Sequence, residues 1–348
     1  MTLRVSEGLI DLATRNLKLN SDLRTHGPLF HWAQLVRLPN VFTVIADVSA
    51  GFLLVGQSPE SSLRWLLVVL AGIALYWAGM ILNDVFDLDI DRVERPNRPL
   101  PAGKICPVRA RWIGWSLVPI GILLGTLSGM LPSESHPPTW LPGILAVVLA
   151  AAIYAYNGPL KKTPLAPVTM GLCRMLSFLL GAAPVLILPH MSGEPFREQY
   201  IIAIALGLGL YIMGITLMAR DEATSPNITA GESPNLKVGL VVMVIGAGVL
   251  AFAPGTALPE IQKTWYLSAS RHFPFLIGMI VYPIVLRAHR CLRRPTPERI
   301  QMTIRSGILT IIPFSAAIAM LAAGPIWGLA IFSLIVPAFL LGAKLRIT

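Results

Sequence analysis

The sequence predicts an all-α integral membrane protein, a bundle of nine to ten transmembrane helices. Three observations carry that reading. Hydrophobic residues fill 54% of the 348 positions and charged residues only 13%, with a mean hydropathy of +0.67. Runs of about 20 apolar residues, the length that crosses a bilayer, recur from end to end. They lie near 41–57, 64–83, 112–131, 141–157, 166–189, 199–219, 237–254, 273–289, 304–322 and 326–343. The stretches between them are too short to hold a soluble domain.

Residues 1–40 read as a polar tail ending in an amphipathic lead-in, "FHWAQLVRL", and residues 41–348 as the transmembrane domain. The apolar region starts too late for a secretory signal peptide. Alternating ten spans from an inner N-terminus places most of the 28 lysines and arginines on one side, the pattern of a cytoplasmic face. N-in and C-in follow, with a bacterial inner membrane as the expected setting. Arg64, Arg197, Lys263 and Arg271 then fall in outer segments. The formal net charge of +10 is accounted for by this bias and by anionic headgroups, so nucleic acid is not an expected partner. Cys106, Cys173 and Cys291 show neither metal-site nor disulfide spacing. Two spans joined at "AAGP" are expected at the C-terminal end. Asp47 and Arg174 fall inside spans, where a charge is costly, so each should face the interior, lining a cavity or pairing with the other.

The chemistry concentrates in "NDVFDLDIDRVERPNRPL", Asn83 to Leu100. Asp84, Asp87 and Asp91 stand at i, i+3 and i+7, one helical face. Three carboxylates at a helix C-terminus repel one another and the helix dipole. A divalent cation relieves both, and hard oxygen donors favour Mg²⁺, which shares its shell with substrate phosphates. Asn83 can supply an amide oxygen, whereas Asp89 points away toward solvent. Arg92, Arg95 and Arg98 follow, on a loop stiffened by Pro99 and Pro101. Arginine grips phosphate oxygens through parallel hydrogen bonds.

This stretch resembles the first aspartate-rich motif of the UbiA superfamily of intramembrane prenyltransferases. Asn83, Asp84, Asp87, Asp91, Pro96, Arg98, Pro99 and Leu100 all fit the pattern N-D-x-x-D-x-x-x-D followed by P-x-R-P-L. "RLPNVFTVIADVSAG" (37–51) and "YAYNGPLKK" (154–162) resemble further segments of that superfamily in matching order, and "ERPNRPLPAGK" adds a likeness to its divergent EboC-like members. The resemblance implies a helical bundle around a central cavity open to the membrane. It implies Mg²⁺-dependent transfer of an isoprenyl group from its diphosphate to an aromatic or other nucleophilic acceptor. Carried over, Asp84, Asp87 and Asp91 hold Mg²⁺ on the diphosphate. Arg98 and Lys161 or Lys162 bind its oxygens, Tyr156 lies at the cavity mouth and Asn40 near the substrate. Arg174 is a candidate for the cavity wall.

The superfamily's second motif, commonly D-x-x-x-D, is incomplete. In "MARDEATSPN" Asp221 is present as the catalytic and metal-binding candidate, but Ser225 stands where a second aspartate is expected. Three alternatives therefore stand beside transfer: a cyclase that ionises the diphosphate without an external acceptor, a protein that binds or moves an isoprenoid lipid, and a lipid phospho-alcohol transferase. The last requires D-G-x-x-A-R, which the sequence lacks.

Overall fold

The computed structural model describes residues 27–57, 62–133, 135–187, 198–224, 234–293 and 296–345, with the backbone alone for 221–224. Every regular element among them is helical. In chain order these are α1 (Pro28–Leu35), α2 (Leu38–Gly56), α3 (Ser62–Phe86), α4 (Leu88–Glu94), α5 (Pro107–Met130), α6 (Leu141–Asn157) and α7 (Ala166–Ala182). There follow α8 (Gln199–Thr224), α9 (Pro234–Phe252), α10 (Pro259–Lys263), α11 (His272–Arg293), α12 (Pro297–Leu309), α13 (Ile311–Ala323), α14 (Pro325–Ser333) and α15 (Ile335–Lys344).

Nine helical segments among the described residues are long and apolar enough to cross a bilayer, and the 17-residue α6 makes a tenth, shorter apolar helix. All ten coincide with the apolar runs of the sequence. The last two, 297–323 and 325–344, meet at Gly324 within "AAGP". Gly324 has φ +95°, and a Cβ there would approach the ring of Tyr266 to 3.1 Å, so glycine is required at this reversal.

Small residues decide where the helices meet, because lipid supplies no hydrophobic drive between them. Gly181 on α7 and Gly51 on α2 are the case that matters for the site. A Cβ on Gly181 would lie 2.1 Å from the Val48 carbonyl oxygen, and one on Gly51 would lie 2.3 Å from that of Phe178. Backbone therefore touches backbone, and α2 and α7 come close enough for short side chains to bridge them. One buried core runs through α2, α7, α8, α9 and α11–α14, around Phe178, Tyr211, Phe273 and Phe314. A second joins α2, α3, α6 and α7 through Val48, Phe52, Val68, Leu149 and Leu180. Apolar residues such as Trp112, Phe275 and Ile326 remain exposed on the outer faces, as lipid contact requires.

Arg64, counted with the outer segments in the sequence, lies in the first turn of α3 and is 1% exposed. It donates to the carbonyls of Leu131, Pro184 (2.7 Å) and His136 (3.1 Å). Those carbonyls follow the ends of α5 and α7, so one guanidinium ties three chain segments at the bundle end remote from the aspartates.

Candidate active site

The aspartate motif begins in the last turn of α3 and crosses into α4. The expected single helix is interrupted: α3 stops at Phe86, and Asp87 (φ −87°, ψ 0°) is the N-cap of α4. Helical bonds nevertheless bridge the joint, from Asp87 N–H to Asn83 O at 3.0 Å and from Asp91 N–H to Asp87 O at 2.8 Å. The three carboxylates therefore stay on one side. Asp89 departs as expected, pairing with Arg92 at 2.9 Å with its side chain 92% exposed.

The loop after α4 is held from below. Leu100 and Ile105 are buried with Leu35, Ile81, Val85 and Ala110 in a small core beneath the motif. This anchor and the turn bonds Arg98 N–H to Arg95 O and Ala102 N–H to Arg98 O aim Arg98 inward. Its Nη1 lies 2.7 Å from Asp91 Oδ2 and 3.5 Å from Asp84 Oδ1. Arg92 and Arg95 stay at the exposed surface.

Lys161 arrives from the loop after α6. Asn157 Nδ2 donates to Gly79 O at 3.0 Å and docks the end of α6 on α3. Lys161 Nζ then donates to Asn83 Oδ1 at 2.7 Å and to Asp87 Oδ2. The sequence left Lys161 and Lys162 as equivalent; Lys162 is exposed and Lys161 is the residue in contact. Asn83 also donates to Asp84 Oδ1 at 3.2 Å.

Arg37 completes the ring, its Nη2 3.7 Å from Asp84 Oδ1. It sits between α1 and α2 with a left-handed backbone, φ 48°. Sequence reasoning included it in a resembling segment but gave it no role. Its signal was a cation directly before the Leu38-Pro39 helix start. Asn40, a turn on, is half-buried; its side chain reaches the Tyr76 hydroxyl, which donates to Arg37 O at 3.4 Å.

Beneath this ring lies an apolar cavity of about 120 Å³ between α2, α3, α6, α7 and α8. Gly72, Tyr76 and Met80 form one wall, Leu149, Ile153 and Tyr156 another. Tyr156 is thus placed in the cavity and within electrostatic reach of Asp87 and Arg37. Arg174 and Ser177 line the α7 wall. Arg174 Nη1 pairs with Asp47 Oδ2 at 2.5 Å and its Nη2 donates to Thr43 Oγ1 at 3.3 Å. The two intramembrane charges therefore find each other, with Arg174 facing the cavity and Asp47 behind it, fully buried. Asp221 and Ser225 lie outside the residues whose side chains are described.

As a metal site the motif is incomplete on its own. Among the described residues no three acidic, histidine or cysteine side chains are grouped around one ion position. The ion pairs occupy Oδ1 of Asp84, Oδ2 of Asp87 and Oδ2 of Asp91. The other oxygen of each carboxylate has no ion-pair partner of its own, and hard oxygens of this kind are the donors that Mg²⁺ takes.

The sequence profile of the UbiA prenyltransferase family matches residues 44–304. The chain belongs to the UbiA prenyltransferase family. It is 28% identical over 235 residues to digeranylgeranylglyceryl phosphate synthase of Sulfurisphaera tokodaii, covering 68% of this chain and 72% of the relative. It is 32% identical over 291 residues to the protein of the same name from Methanoculleus marisnigri, covering 78% and 91%. With the Ignicoccus hospitalis relative it shares 32% identity over 143 residues, 41% of this chain and 43% of the relative. A solved structure concerned with digeranylgeranylglyceryl phosphate synthase in membranes superposes with a TM-score of 0.57 at 22% identity, over 86% of this chain and 99% of that one. A UbiA homologue from Archaeoglobus fulgidus, solved bound to GPP and Mg²⁺, superposes with a TM-score of 0.56 at 14% identity, over 87% and 99%. The protein is a multi-pass membrane prenyltransferase of UbiA type.

Proposed function

We propose that the protein transfers an isoprenyl group from an allylic diphosphate to a hydroxyl of a lipid carrying glyceryl phosphate, with Mg²⁺ and with the aspartate motif facing the cytoplasm. The observation that carries this is the ring of Asp84, Asp87, Asp91, Arg98, Lys161 and Arg37 at the end of an apolar cavity. Charged groups fit the diphosphate and the cavity fits the hydrocarbon. The names of the relatives favour an external acceptor over cyclisation, and a glyceryl phosphate lipid over an aromatic one.

In this reading Arg98 and Lys161 exchange their carboxylate partners for diphosphate oxygens and hold the leaving group as charge develops on it. Asp84, Asp87 and Asp91, with Asp221 from the second motif, would hold Mg²⁺, which supplies further positive charge at the leaving oxygens. Asn83 keeps Lys161 in place, and Asn40 fixes Tyr76 at the cavity wall. Tyr156, Met80 and Ile153 enclose the first carbons of the chain and keep water from the reactive carbon.

The test is diphosphate release from geranylgeranyl diphosphate by the purified protein, with and without Mg²⁺, beside Asp84→Ala. Release that needs Mg²⁺ and disappears in the variant is expected. Binding of the substrate without release would replace transfer by an isoprenoid-lipid carrier. Absence of binding would overturn the diphosphate site itself.

A further inference from the structure

The cavity wall directly beneath the aspartates carries sulfur. Met80 lines the cavity and stands four residues before Asp84 on α3. It is therefore on the same helix face, one turn lower, about 6 Å along the axis. Helical side chains lean toward the N-terminus, so the Asp84 carboxylate leans toward Met80. Met170 lines the same cavity four residues into α7, a helix that starts at Ala166, five residues after Lys161. The other groups near this level are committed. Ile153 fills the gap over Gly79, with Cγ2 3.1 Å from where a Cβ would stand, and Asn157 Nδ2 donates to Gly79 O. Tyr156 is within electrostatic reach of Asp87 and Arg37, on the diphosphate side, where its ring face can add attraction for a cation. Arg174 is eight residues into α7 and paired with Asp47.

The chemistry of an allylic diphosphate makes this level the critical one. The carbon that reacts is bonded to a diphosphate oxygen. A diphosphate held at Asp84, Asp87 and Asp91 therefore puts that carbon and its double bond beside the turn that bears Met80. When the carbon–oxygen bond breaks, its electron pair leaves with the diphosphate and the allylic carbons take up positive charge. A carboxylate at this level would capture the cation as an ester, and water would capture it as an alcohol. A thioether is uncharged and polarisable, so its electrons shift toward a cation without a fixed charge in the wall.

We propose that Met80 is a catalytic residue that touches the allylic carbons and stabilises their charge as the diphosphate departs, with Met170 supporting it from α7. The proposal rests on the prenyl-transfer reading above and adds to it the group that faces the cation. No bond to sulfur persists. The step ends with the electron pair on the diphosphate and the charge on the allylic carbons, open to the electron pair of an acceptor.

The test measures diphosphate release by the purified full-length protein with geranylgeranyl diphosphate and Mg²⁺. Binding of the unreactive geranylgeranyl thiolodiphosphate is measured beside it. Met80→Leu keeps volume and apolar character, so the denaturation midpoint is expected to hold. Its kcat should fall about 2- to 10-fold, with affinity for the thiolo analogue unchanged, and Met80→Leu with Met170→Leu should fall further. That split marks a group that acts on the transition state and not on the bound substrate. Release at the wild-type kcat in Met80→Leu overturns the proposal. So does an affinity for the analogue that weakens as much as kcat falls, since Met80 is then only a binding wall. Wild-type protein that releases no diphosphate overturns the underlying function, a distinguishable result.

Discussion

Two clusters of opposite charges, one above the cavity and one at its α7 wall, differ in how firmly they are closed. At the aspartate ring Lys161 is 26% exposed, Arg37 34% and Asp87 19%, while Arg98 and Asp91 are more enclosed at 13% and 4%. In mid-bundle Asp47 is wholly buried, and Arg174 is 13% exposed, toward the cavity. The Lys161–Asp87 and Arg37–Asp84 pairs stand where water and an incoming anion can displace their cations, so these two are weakly stabilising and readily exchanged. The inner pair has no solvent to fall back on, and removing one partner strands a charge. The same chemical pairing is thus open to exchange at Lys161 and Arg37 and fixed at Asp47.

That contrast is broken most severely by Asp47→Ala. It should cost about 3–5 kcal/mol of stability by leaving Arg174 uncompensated, read as a lowered denaturation midpoint in detergent, and Asp47→Leu with Arg174→Met should recover most of it. Asp84→Asn should do the reverse: folding unchanged, and diphosphate release reduced on the order of 100- to 1000-fold. Next in size is Gly181→Ala. Its Cβ would meet the Val48 carbonyl at 2.1 Å, separating α2 from α7 at a cost of about 1–3 kcal/mol, read as a lowered denaturation midpoint. Arg98→Lys keeps the charge but loses the planar fork, and a 10- to 100-fold rise in KM for the diphosphate is expected. Arg92→Ala is the smallest. Its partner Asp89 is 92% exposed, so neither the midpoint nor the rate should change measurably.

The spans were legible because a bilayer imposes a length, and each of the ten apolar runs is helical in place, the last two as pairs of shorter helices. The carboxylates were legible because their spacing is a helical period, although the break at Asp87 was not: nothing in "DVFDLD" marks it. Lys161 could not be told from Lys162, since the choice is made by the turn after Asn157 and by that residue's bond to Gly79. Asp47 and Arg174 were each legible as charges needing a partner. Their pairing depends on two glycines, 51 and 181, that bring distant backbones into contact. The burial of Arg64 was not legible, because only tertiary structure brings three carbonyls to it. The incomplete second motif, at Asp221 and Ser225, lies outside the described side chains.

Arg64 has a consequence for traffic. By lacing together the far ends of α3, α5 and α7, it fixes the end of the bundle opposite the charged ring. A passage open at both ends would leak ions across the membrane whenever substrate left. In the proposed reading the polar head of a lipid substrate enters and leaves at the charged ring, the end away from Arg64.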